Sequence, residues 1–150
     1  MLENEHKPAR DKALAILARR AHSTGELSDK LEEYGYIPED CEDAVGWLAD
    51  LGYLDDAAYG HDCAEELAAK GYGSFRIRRE LQARRLDREL VEEILSELPE
   101  PSEAIDNLIA HMSAGRSMDD PGQRRRLANA LYRRGFSWDD INEGLERNML

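Results

Sequence analysis

Five apolar positions recur at intervals of fifty residues in three copies, and that period restricts the chain to an array of similar units. The triplets are Leu27, Ile77 and Leu127; Leu31, Leu81 and Leu131; Tyr36, Leu86 and Phe136; Cys41, Val91 and Ile141; and Val45, Leu95 and Leu145. Within each copy the first two positions stand four apart, as do the last two, so each pair shares one face of a helix. The middle position falls between two helices as an apolar plug at the corner. Local signals agree. Gly35 and Gly135 stand where a left-handed C-cap ends the first helix of the pair, and Pro38 suits the first turn of the next. Ser23-Thr24-Gly25-Glu26 reads as a capping box, and Asp87 and Ser137 as caps in the later copies.

A leading helix precedes each pair. The first runs from about Pro8 to Ala21 with a stripe of Leu14, Leu17 and Ala21, and the second from about Asp56 to Lys70, where Leu67 and Ala68 match Leu17 and Ala18. In the third copy Ile105, Leu108, Ile109 and Met112 form the stripe out of register, a shift absorbed by a loop from Ser113 to Asp120 followed by Pro121-Gly122. The expected fold is all-α: three tandem three-helix repeats, about nine helices and no strand, in an elongated array free to curve. The repeats span residues 8–54, 55–100 and 101–150. A module of roughly 45 residues is marginal alone, so neighbours are expected to pack on one another.

Composition narrows the function. With 41% hydrophobic, 7% aromatic and 35% charged residues, the chain is too polar for a membrane protein and too rich in Leu and Ile to read as disordered. No apolar run approaches the roughly 20 residues of a membrane span, and the first eight residues hold no hydrophobic signal core, so the expected location is the cytoplasm. Cys41 and Cys63 are too few for a disulfide scaffold. The net charge of −12 argues against a general nucleic-acid coat. That charge is patterned: residues 70–88 carry 7 basic and 2 acidic side chains and residues 124–134 carry 5 and 0, between acidic stretches.

The first basic patch, Arg76, Arg78, Arg79, Arg84, Arg85 and Arg88, is the sharpest candidate contact surface. Arg78, Arg79 and Arg85 point away from Ile77 and Leu81 on a helix, and guanidinium forks suit carboxylate or phosphate on a partner; pairing with nearby Asp and Glu is the competing reading. In the second patch (Arg124, Arg125, Arg126, Arg133 and Arg134), Arg126 and Arg133 stand seven apart and share a face, as a second contact or as a solubilising surface. Gly71-Tyr72-Gly73 lacks the Lys-Ser or Lys-Thr of a phosphate loop and reads as a helix end and tight turn. Tyr53, Tyr59 and Tyr72 are expected to pack between repeats one and two. The pairs Asp55-Asp56, Asp119-Asp120 and Asp139-Asp140 stand near helix starts, where they read as caps. His6, His22, His61 and His111 share no ligand spacing, Cys41 occupies a core position, and Trp47 is expected in the core. No metal or cofactor site and no catalytic constellation is expected.

Three ordered stretches resemble the RecX regulatory family: Leu17-Ala18-Arg19-Arg20-Ala21-His22-Ser23-Thr24-Gly25-Glu26-Leu27; Gly52 to Tyr59 continuing with Lys70 to Leu81; and Leu131-Tyr132-Arg133-Arg134-Gly135-Phe136-Ser137-Trp138-Asp139-Asp140-Ile141. The similarity covers residues 11–147. It implies tandem three-helix repeats that lodge along the filament of RecA on single-stranded DNA, block its growth or promote its disassembly, and reduce recombination, ATP hydrolysis and the coprotease role. The expected partner is therefore the RecA filament, with weak or indirect contact to nucleic acid, no membrane, and the chain itself monomeric. The acidity of this chain departs from the family's pattern. A direct DNA reader of helix-turn-helix type is the alternative, and its groove-entering helix should be basic. Here the last helix of each repeat is acidic, with Glu39, Asp40, Glu42, Asp43 and Asp50 in the first, Glu89, Glu92, Glu93 and Glu97 in the second, and Asp139, Asp140, Glu143 and Glu146 in the third.

Overall fold

A computed structural model describes residues 2–149. Among them are nine α-helices and no strand: α1 (Leu2–Arg19), α2 (Thr24–Glu33), α3 (Pro38–Asp50), α4 (Asp56–Ala69), α5 (Ser74–Ala83), α6 (Arg88–Ser96), α7 (Ser102–Met112), α8 (Pro121–Arg133) and α9 (Trp138–Met149). By packing, the chain forms two compact units. One holds the chain through Cys63 together with Leu81–Val91; the other holds Ala64–Glu80 together with the chain from Glu92 onward.

In the first unit α1, α2 and α3 enclose Ala9, Ala13, Ile16, Leu27, Leu31, Cys41, Ala44, Leu48 and Leu54. The inward stripe of α1 is Ala9, Ala13 and Ile16, which lets the helix lie close to α3. Leu14 and Leu17 flank it, half-buried, and Ala21 lies exposed beyond the helix end. The helix also starts at Leu2, so Pro8 sits inside it and removes one bond of the hydrogen-bond ladder. Trp47 is only partly buried, with the Arg10 guanidinium 4.9 Å over its ring.

In the second unit α7, α8 and α9 enclose Ile105, Ile109, Leu127, Leu131, Phe136, Ile141 and Leu145, with Leu108 and Met112 packed against them. Three of the fifty-residue columns, 27/77/127, 31/81/131 and 41/91/141, are buried in every copy. The last differs from expectation: Val45 and Leu95 are half-buried, and the neighbouring column Ala44, Ile94 and Gly144 turns inward instead. Residues 41, 44 and 48 share a face at helical spacing, so the inward arc of α3 passes beside Val45. At Gly144 a Cβ would stand 2.5 Å from Ile105 Cγ2, so only glycine admits α7 this close to α9.

The caps follow their local chemistry. Both bonds of the Ser23–Glu26 capping box form, Pro38 opens α3, and Ser137 Oγ accepts the Asp140 N–H at 3.1 Å. Asp87 precedes α6 and its carbonyl accepts the Val91 N–H. Asp55 caps α4 through the Ala58 N–H, and Asp120 caps α8 through the Gly122 N–H, with Pro121 and Gly122 inside the first turn of that helix. Asp56 acts elsewhere: its carboxylate accepts the Thr24 N–H and hydroxyl, each at 2.8 Å, at the start of α2.

Helix starts dock on the corners that follow later helices. In the first unit Ser23 Oγ donates to the Arg84 carbonyl, and a Cβ on Gly25 would stand 2.7 Å from Arg85 Cβ. In the second unit the Gly73 N–H donates to the Arg134 carbonyl at 2.8 Å and the Phe75 N–H to the Gly135 carbonyl at 3.0 Å. Positions 25 and 75 correspond, as do 85 and 135. In the first contact the small residue is Gly25 on the helix start; in the second both sides are small, with Gly73 on the start and Gly135 on the corner.

Candidate partner-binding surface

The six arginines of the first patch have different environments. Arg78 grips Glu92 with two hydrogen bonds of 2.9 and 3.1 Å. Arg84 donates to the Tyr59 hydroxyl at 2.7 Å, and that hydroxyl donates to Glu26 at 2.7 Å; burial, then the bond to Glu26, pushes the Tyr59 phenol above its ordinary value. Arg76 lies 5.0 Å over the Tyr72 ring. Arg85 is exposed and stands 3.6 Å from Asp29. Arg79 and Arg88 are exposed and make no ion pair among the described residues. Competition from nearby carboxylates thus occupies Arg78 and Arg85, while Arg79 in the second unit and Arg88 in the first are open to a partner.

The second patch divides likewise. Arg134 donates to the Lys70 and Gly71 carbonyls at 3.2 and 3.4 Å and covers Tyr72, so it belongs to repeat packing. Arg124 reaches the Met149 sulfur. Arg126 and Arg133 are exposed, and with Arg116 from the α7–α8 connector they line a depression of 360 Å³. Of the three tyrosines expected between repeats one and two, Tyr59 alone makes such a contact among the described residues. Tyr53 is 64% exposed, and Tyr72 faces Arg134 of the third repeat. The Tyr132–Trp138 pair was not singled out by its pattern: its rings stack at 4.6 Å and both are about half exposed. The available signal was an aromatic residue at 138 where the earlier copies carry Pro38 and Arg88.

Cys41 is buried, and burial, reinforced by Glu32 and Asp40, pushes its thiol up, which leaves it a poor nucleophile. Among the described residues no group of three or more His, Cys, Asp or Glu is placed to hold a metal, and no helix is long and apolar enough to cross a membrane.

Helices, corners and recurring core columns together define an all-α protein of three three-helix repeats. Residues 9–48, 55–95 and 113–145 match the family models for the first, second and third three-helix domains of RecX, and the chain belongs to the RecX family. It is 30% identical over 138 residues to the regulatory protein RecX of Vibrio parahaemolyticus, covering 91% of this chain and 89% of that one. It is 35% identical over 131 residues to the regulatory protein RecX of Xanthomonas axonopodis pv. citri, covering 87% and 81%. The fold is similar to the crystal structure of RecX from Lactobacillus salivarius, with a TM-score of 0.87 at 18% identity over 98% of this chain and 97% of that one.

Proposed function

We propose that this chain is a non-enzymatic regulator that binds the RecA filament on single-stranded DNA and lowers its recombinase, ATPase and coprotease activities by blocking extension or promoting disassembly. The observation that carries this reading is the ordered match of all three RecX domains between residues 9 and 145. The working units are the repeats 8–54, 55–100 and 101–150, acting as a monomer in the cytoplasm. Arg79 and Arg88 lead the contact because they are exposed and lack counter-ions, with Arg76, Arg78 and Arg85 beside them in sequence. Arg84 is held within the first unit by the Tyr59 hydroxyl. Arg126 and Arg133 form a second contact of the same chemistry. Guanidinium groups engage carboxylates of a protein partner bidentately, and truncating such contacts slows inhibition by weakening the complex.

The test is ATP hydrolysis by RecA from the same organism on single-stranded DNA, titrated with this protein from substoichiometric amounts. A dose-dependent fall is expected, with no DNA binding in the absence of RecA. The double variant Arg79→Glu, Arg88→Glu should keep its helical circular dichroism and inhibit at least about tenfold less well. An unchanged ATPase rate together with tight binding to bare DNA would transfer the reading to a direct DNA-binding module.

A further inference from the structure

We propose that the depression on the third repeat binds a compact polyphosphate: the triphosphate of a nucleotide, or free inorganic polyphosphate. The inference does not depend on the filament reading, but it claims Arg126 and Arg133 for a small anion, so a bound polyphosphate would compete with the second partner contact proposed above. Three arginines line it, Arg116 from the connector and Arg126 and Arg133 from α8; the latter two lie seven residues apart and therefore on one face two turns apart. None of the three makes an ion pair among the described residues. Arg79 and Arg88 also lack an ion pair, but Arg116, Arg126 and Arg133 share one concavity, whereas Arg10, Arg78, Arg85 and Arg147 each have a carboxylate within 4 Å. No Asp or Glu lines the depression; its other polar side chains are Gln123, 3% exposed, and Asn129.

Three uncompensated cations around one concavity repel one another, and an anion seated among them removes that repulsion. Guanidinium forks match phosphate oxygens bidentately, and the amides of Gln123 and Asn129 add uncharged hydrogen-bonding groups. Three cations call for a ligand with several charges. The surroundings call for a compact one: residues 89–123 carry 9 acidic and 1 basic side chains, and residues 135–150 carry 4 and 1. A long nucleic-acid strand would meet the net charge of −12 over the rest of the chain, whereas a triphosphate keeps its charge over the arginines.

Isothermal titration of the full chain with inorganic tripolyphosphate, with ATP and with a short single-stranded oligonucleotide tests this. Tripolyphosphate and ATP should each bind once per chain with similar affinity, compete with each other and weaken as salt rises. The variant Arg126→Gln, Arg133→Gln should bind tripolyphosphate at least about tenfold more weakly, with unchanged circular dichroism, while Lys30→Gln binds like the parent. The proposal is overturned by an absence of saturable tripolyphosphate binding, by binding that survives the double substitution, by ATP binding that tripolyphosphate does not displace, or by oligonucleotide binding that neither small ligand displaces.

Discussion

Residue 85 stands where the first and third repeats place a glycine. Gly35 and Gly135 turn with φ of +94° and +98°, and Arg85 makes the same left-handed turn with φ of +63°. An L-residue there costs roughly 1–2 kcal/mol, and the exposed Asp29 contact recovers at most about 1 kcal/mol. Arg85→Gly should therefore be neutral or raise stability by up to about 1 kcal/mol in denaturant unfolding; a clear loss would show that the side chain holds the corner by its packing. Gly135→Ala should do the opposite. Its φ is unsuited to a side chain, and a Cβ would stand 2.5 Å from the Arg76 backbone nitrogen, so a loss of about 2–4 kcal/mol is expected. The glycine corners were legible in the sequence because glycine is a local sign of that conformation. The corner at Arg85 was not, since there the packing imposes the handedness against local preference. The fate of Arg84 was hidden for a related reason: its partner Tyr59 is 25 residues away and is brought near only by folding.

Helix pairs were legible wherever period and caps agreed, as for α2 with α3 and α8 with α9. The leading helices were read less well. Alanine carries a weak hydrophobic signal, so Ala9 and Ala13 were passed over in favour of the larger Leu14 and Leu17, although close helix approach needs the small residues inside. That close approach is reinforced by Arg10, which holds Asp43 with bonds of 2.9 and 3.1 Å between α1 and α3. Hydrogen bonding from Arg10 lowers the Asp43 carboxyl below its ordinary value. A carboxyl lowered by folding stabilises the native state fully above its unfolded pKa, near 3.9, and loses that contribution as pH falls through the folded value. The thermal midpoint of Asp43→Asn should thus lie below the parent's at neutral pH, with the gap closing below about pH 4. A gap that stays constant down to acid pH would mean that the carboxylate acts through shape and not through charge.

At the scale of the whole chain, the net charge of −12 opposes compaction through self-repulsion. Raising sodium chloride from about 10 mM to about 150 mM shortens the screening length severalfold, so the melting temperature should rise over that range. A fall would indicate that specific ion pairs such as Arg10–Asp43 and Arg147–Asp106 outweigh the general repulsion. Three-fold repetition was plain from spacing alone, but what joins the copies was not, because Ser23, Gly73 and the corners they meet lie about sixty residues apart. Those joints are not interchangeable. One sets Gly25 against the Cβ of Arg85, the other sets the Gly135 corner against Gly73 and the backbone of Arg76. A shuffled chain that set the Phe75 start on the Arg85 corner would bring a Cβ to where one on Gly25 would stand 2.7 Å from Arg85 Cβ. The copies are keyed to their neighbours, so duplicating or exchanging whole repeats should cost stability here, unlike in consensus repeat arrays whose seams are all alike.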